Sequence, residues 1–285
     1  MKTTICIRST WRSLPLAGVF AFLSLVFALP FAHAAGVEEG WRLYRQGDYG
    51  KAYLIFSEGA EKGDPESQYA LGVFLAEGKQ GKREETQAAA WFRKAADRGN
   101  ARAQNSLGDM YDQSRGVKQD LGHAIVWYRK AAEQGYAPAQ DNLGRMYESG
   151  RGIKRDYVKA AYNYINAANQ NYPQAQYHLG MMYARGWGVP QDVPRAAEWV
   201  KKSAQQGYVE AMYILAQMYE NGHGVSKNSR EAVSWYKKAA DAGQDKAMER
   251  LAHIYMIGDL GEAQNMTLAQ AWTKKTRDTR KQQKK

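Results

Sequence analysis

The residue types that could carry chemistry are few and scattered. Beyond residue 34 the histidines are His123, His178, His223 and His253. Imidazoles bind metals or move protons when several ligands or partners converge, but these four fall at unrelated register. Three Gly-x-Gly pairs occur, at Gly150/Gly152, Gly186/Gly188 and Gly222/Gly224. A glycine pair of this kind cradles a dinucleotide only behind a β-strand, and no strand pattern precedes any of them. Glu84-Glu85 reads as the exposed start of a helix, where negative charge is favourable. There is no H-E-x-x-H, G-x-S-x-G or G-x4-G-K-[ST]. The expectation is therefore a protein that is not an enzyme, with no metal and no cofactor.

What remains is chemistry of recognition, and it is laid out periodically. Leu71-Gly72, Leu107-Gly108, Leu143-Gly144, Leu179-Gly180, Leu215-Ala216 and Leu251-Ala252 recur at steps of 36 residues. Tyr111, Tyr147, Tyr183, Tyr219 and Tyr255 follow in register. So do Trp91, Trp127, Trp199 and Trp235, with Asn163 standing once in the tryptophan column. Trp272 falls one residue late, which places a one-residue insertion near Asp259-Leu260. A fixed period of this length is the signature of stacked repeats.

Each unit reads as two helices. In residues 136–171, Ala139, Leu143, Gly144, Met146 and Tyr147 share one helical arc. Gly150 to Ile153 break that helix, and Asp156 can cap the next. Ala160, Tyr164, Ala167 and Ala168 form a second apolar stripe. Asn171 closes the unit where the other units use glycine. One such pair cannot bury its own apolar face, so neighbours must stack.

The pattern resembles the Sel1-like repeat, a relative of the tetratricopeptide repeat. Ala139, Leu143-Gly144, Tyr147, Gly150, Gly152-Ile153, Asp156, Lys159-Ala160, Tyr164 and Ala167-Ala168 carry the resemblance in one unit. Ala211, Leu215-Ala216, Tyr219, Gly222, Gly224-Val225, Ala232, Trp235-Tyr236, Ala239-Ala240 and Gly243 carry it in another. The resemblance implies an all-α protein, a right-handed α/α superhelical solenoid of helix-turn-helix repeats. Six repeats are expected over about 64–99, 100–135, 136–171, 172–207, 208–243 and 244–280. A capping helix pair is expected over 35–63 and a disordered basic tail over 281–285.

Columns that vary between units are free to meet a partner. One such column of the first helices reads Tyr69, Asn105, Asp141, Tyr177, Tyr213 and Glu249. The other reads Val73, Asp109, Arg145, Met181, Gln217 and His253. Both are expected opposite the core stripe. In tetratricopeptide relatives the first helices line a concave groove, and the resemblance implies the same here. Aromatic residues and methionine are enriched at interfaces, so Tyr69, Tyr177, Tyr213, Met181 and Arg145 are the expected contacts for a protein or peptide. The second helices carry Arg93-Lys94, Arg129-Lys130, Lys201-Lys202 and Lys237-Lys238. These are expected to point away from the Ala/Trp face as a basic convex edge, suited to an anionic envelope surface as the alternative partner.

The chain has 285 residues, with 40 Lys and Arg against 29 Asp and Glu. Residues 1–34 read as a secretory signal: Lys2, Arg8 and Arg12, an apolar run from Leu14 to Leu29, and Ala32-His33-Ala34 before the cut. Cleavage removes the one cysteine, Cys6, and takes the formal net charge from +11 to +8. The expected protein is exported, periplasmic or secreted. It has no membrane span after cleavage and no nucleic-acid partner.

Overall fold

The computed structural model describes residues 36–79 and 81–283, and the expected signal segment lies outside them. Fourteen helices and no strand occur among the described residues. They divide into two compact units, one up to Ala95 and one from Ala96 onward.

The first unit holds α1 (36–46), α2 (Tyr49–Glu61), α3 (Pro65–Glu77) and most of α4 (Glu85–Asp97). α2 packs on α3. The core is aromatic: Phe56 and Phe74 are fully buried, and Trp41 stands 5.0 Å from Phe56 between ring centres. Asp48 and Asp64 cap α2 and α3 by accepting from the Lys51 and Ser67 amides.

The second unit is a run of helix pairs: α5 (Ala101–Gln113) with α6 (Leu121–Glu133), α7 (Ala137–Ser149) with α8 (Tyr157–Asn169), and α9 (Pro173–Arg185) with α10 (Val193–Gln205). α11 (Val209–Asn221) with α12 (Ser229–Asp241), and α13 (Asp245–Ile257) with α14 (Met266–Gln283), complete it. Each second helix also packs on the first helix that follows. The architecture is an α/α solenoid.

The local code for each pair is simple. Asp120, Asp156, Asp192 and Asn228 sit in extended backbone and accept from the amide three residues on, which starts the second helix. Asn171 adopts φ +61°, the left-handed close that its column requires. Small residues then let the helices touch. A Cβ at Gly144 would lie 2.7 Å from the Tyr164 ring, so the fully buried tyrosine uses the space that glycine leaves.

Glutamines tie successive pairs together. Gln104, Gln140 and Gln176 are buried and donate to the Ala96, Ala132 and Ala168 carbonyls at the end of the preceding helix. Each accepts in turn from the glutamine 30 residues on, Gln134, Gln170 and Gln206, at 2.7–2.9 Å. Methionine replaces the first glutamine at Met212 and Met248.

Two expectations need correction. α14 continues to Gln283, so residues 281–283 of the expected disordered tail are helical. Arg280 extends back to Asp245 at 2.9 Å and also pairs with Glu249, which ties the last turns to α13. Four lysines of the basic stripe do not point away from the tryptophans. Lys94, Lys130, Lys202 and Lys238 place Nζ 3.7–4.3 Å from the ring centres of Trp91, Trp127, Trp199 and Trp235. The spacing of three residues puts each lysine over its own indole, and the aliphatic stem covers apolar surface while the ammonium meets the π-face.

The last pair is held by Arg250, which donates to Glu220 of α11 and to Asp259 beyond α13, the latter at 2.7 Å. Burial alone would raise Glu220, but hydrogen bonds from Arg250 and Tyr236 hold its carboxyl below the usual range. The hydrogen bond from Arg250 likewise lowers Asp259. A depressed carboxyl contributes stability above its unfolded pKa and loses it as pH falls through the folded value. Arg250→Leu is therefore expected to cost about 1–2 kcal/mol at pH 7. Denaturant titrations should show that gap shrinking through the carboxylate range as the pH is lowered. A gap independent of pH would show that packing, not charge, is what Arg250 supplies.

Candidate partner-binding cleft

Five helices of the second unit surround a cleft of about 570 Å³. Its floor comes from α7, with Asn142, Arg145, Met146 and Glu148, and its side from α9, with Tyr177, His178, Met181 and Arg185. The loops after the first helices add Arg151, Arg155 and Trp187, and α8 adds Tyr157. Arg145, Tyr177 and Met181 are thus brought together from two neighbouring repeats. Tyr213 is not among the residues that line the cleft. Its ring packs 5.9 Å from Tyr236 and its hydroxyl accepts from Gln217 at 3.1 Å. Tyr69 belongs to the first unit, 5.8 Å from Phe92.

The variable columns do not stand opposite the core. Asn105 and Asp141 are buried, and Tyr69, Tyr177 and Tyr213 are each half-buried. The columns lie along the seam between successive first helices, so polar members must find partners there. Asn142 donates to Asn105 at 3.0 Å and to Asp109 at 3.2 Å, and the Tyr128 hydroxyl donates to Asp109 at 2.7 Å. His178 meets Asp141 at 2.7 Å, and the Tyr164 hydroxyl donates to Glu148 at 2.6 Å. Burial raises the Asp109 carboxyl, and the Tyr128 hydrogen bond only partly opposes it. Burial also raises the Tyr177 phenol, which leaves it a neutral hydroxyl at physiological pH.

Sequence reasoning missed the other half of the cleft. Tyr157 and Trp187 stack with ring centres 4.8 Å apart and planes 22° apart. The Arg155 and Arg185 guanidiniums lie 5.4 and 4.5 Å from those two rings. Arg151 is spent on Asp112, at 2.9 Å. Arg145 is exposed and makes a long contact to Asn142 at 3.4 Å. The cleft therefore offers flat aromatic faces edged by the guanidiniums of Arg145, Arg155 and Arg185. One signal could have found it: position 187 is the middle of a Gly-x-Gly loop, and its counterparts Arg151 and His223 are polar.

The described residues bring together no three of His, Cys, Asp or Glu in a group able to hold a metal. None of their helices is long and apolar enough to cross a membrane.

The Sel1 repeat family pattern matches the chain six times, over residues 65–100, 101–136, 137–172, 173–208, 209–244 and 245–276. The chain belongs to the Sel1 repeat family. Solved relatives agree. A Sel1 repeat protein from Oxalobacter formigenes is 36% identical with a TM-score of 0.80, over 85% of this chain and 99% of that one. A protective antigen present in uropathogenic Escherichia coli strains, displaying an SLR fold, is 34% identical with a TM-score of 0.69. That match covers 88% of this chain and 55% of the antigen. An immunity protein from Pseudomonas aeruginosa, 23% identical over 75% of this chain and 81% of its own, shares the fold with a TM-score of 0.56. No curated protein matches the chain. Sel1 repeats generally act as scaffolds for protein interaction and typically lack catalysis.

Proposed function

We propose that this Sel1 repeat protein is an exported, noncatalytic scaffold that binds a protein or peptide segment in the cleft of α7 and α9. The observation that carries the reading is the meeting of Arg145, Tyr177 and Met181 with the stacked Tyr157–Trp187 pair around one open space. Rigid aromatic faces give contact area at low entropic cost, and exposed arginines suit carboxylate-bearing segments. A basic surface acting on an anionic envelope polymer is the second reading. Arg129 and Lys201 favour it because they stand exposed on the second helices. Lys237 is less available, lying 3.5 Å from Glu262.

Crosslinked capture from the native envelope separates the two. The double variant Arg145→Glu, Met181→Lys should keep its helicity and melting temperature and lose capture severalfold or more. Tyr177 is a poorer probe, because its ring also packs 5.4 Å from Tyr208. Undiminished capture by the double variant would sink the cleft reading. Capture that survives it, but falls steeply with salt and with Arg129→Glu, Lys201→Glu, would favour the polymer.

A further inference from the structure

The repeat over residues 136–171 lacks both halves of a contact that its neighbours share. The tryptophan column has Asn163 and the lysine column has Asn166. Asn163 is buried, and its amide turns back to donate to the Lys159 carbonyl at 2.8 Å. Where the other repeats place an indole, a depression of about 560 Å³ opens instead. Leu143 and Tyr147 of α7 and Tyr162 of α8 wall it, and Arg129 and Lys159 stand on its rim. None of its residues lines the cleft described above.

The surface beside the depression is also unlike the other repeats. Val158 and Tyr162, one turn apart on α8, are 67% and 66% exposed, and Val126, one repeat earlier in the Tyr162 column, is 45% exposed. The same two columns carry Pro194 and Glu198, then Arg230 and Ser234, in the following repeats. A single exposed apolar residue needs no explanation. Two on adjacent turns of α8, beside the depression at Asn163, do.

We propose that this depression is a binding site for an aromatic side chain, a tryptophan, presented by a polypeptide partner. The occupant follows from the chain's own repeats. Trp127 and Trp235 are buried at this position, each under a lysine Nζ about 4 Å from the ring centre. The gap at Asn163 keeps the apolar wall and supplies cations from a different direction. Lys159 Nζ already lies 5.6 Å from the Tyr147 ring centre. An inserted indole would complete the column from outside, stacking beside Tyr147 and Tyr162 with a cation at its face. The site is a second anchor, distinct from the cleft and independent of it.

The test titrates N-acetyl-tryptophanamide into the isotope-labelled full chain, with N-acetyl-leucinamide as the control. The Asn163 and Asn166 side-chain amide signals should shift saturably, with the tryptophan probe preferred by about tenfold or more. Asn163→Trp fills the gap from within. It should raise the melting temperature and abolish the shift at Asn166. Tyr162→Ala removes one exposed wall without touching the core, and should weaken the probe severalfold at unchanged melting. No saturable shift, equal binding of both amides, or full binding by Asn163→Trp or Tyr162→Ala would overturn the proposal. Self-association of the wild type that Asn163→Trp abolishes would assign the site to a second copy of the chain and overturn the partner reading.

Discussion

Trp127→Ala is expected to destabilise the protein by about 3–5 kcal/mol. The indole is 5% exposed, so truncation forfeits nearly all of a large ring's burial and leaves a cavity in its place. Lys130 would also lose the ring beneath its ammonium, at 4.1 Å. Trp199→Ala should cost less, because that ring is only half-buried. A solenoid passes stability mainly between neighbours. Hydrogen exchange should therefore show protection lost over residues 100–171 before it is lost over 208–280. Uniform loss along the chain would show that the second unit unfolds as one block, and equal effects at both tryptophans would show that burial does not rank them.

Gly188→Ala should be nearly as damaging, at about 2–5 kcal/mol. Two causes add. Its φ of +68° is a left-handed conformation that costs a side-chain-bearing residue about 1–2 kcal/mol. A Cβ there would also overlap the carbonyl of Tyr157, at the start of the preceding second helix, and backbone cannot turn aside as a side chain can. Gly207→Ala is the control. Its φ is +92° but a Cβ would meet nothing within 4 Å, so only the conformational cost applies. Denaturant midpoints of the two variants should differ clearly. If they coincide, the loop does not bear on α8 as closely as described. Gly188→Ala should also disturb the cleft, because Trp187 is the adjoining residue.

The repeat and its helices were legible because stacking imposes one constraint at every step. Leu143 recurs in every unit, and Gly144 and Tyr164 in several, since they fill equivalent spaces, and Asp156 recurs since each second helix needs a cap. The cleft was legible in part. Arg145, Tyr177 and Met181 meet because they occupy two neighbouring columns of adjacent first helices. Tyr213 shares the column of Tyr177 and still turns to Tyr236, since the choice between a neighbouring ring and open solvent depends on contacts that no column records. The lysine stripe misled for a related reason. Helical periodicity sets where a Cα sits, but a four-carbon stem can bend back over an indole three residues away. Arg155, Tyr157 and Trp187 converge through the loop conformation, which the period leaves unspecified.

The glutamine pairs carry a consequence for how such a chain can grow or shrink. Gln104 matches Gln134, Gln140 matches Gln170, and Gln176 matches Gln206, and each first partner also seals the end of the repeat before it. A segment of 36 residues cut anywhere between residues 100 and 207 carries both halves of this lock. It can be deleted, duplicated or exchanged with its neighbours without leaving a stranded amide. Met212 faces the same seam with Ala242 in place of a second glutamine, and so belongs to a different coinage. Recombination inside the first set is silent at the seams, whereas a splice between the sets buries an amide against a thioether. The chain therefore contains an interchangeable middle and a fixed C-terminal end.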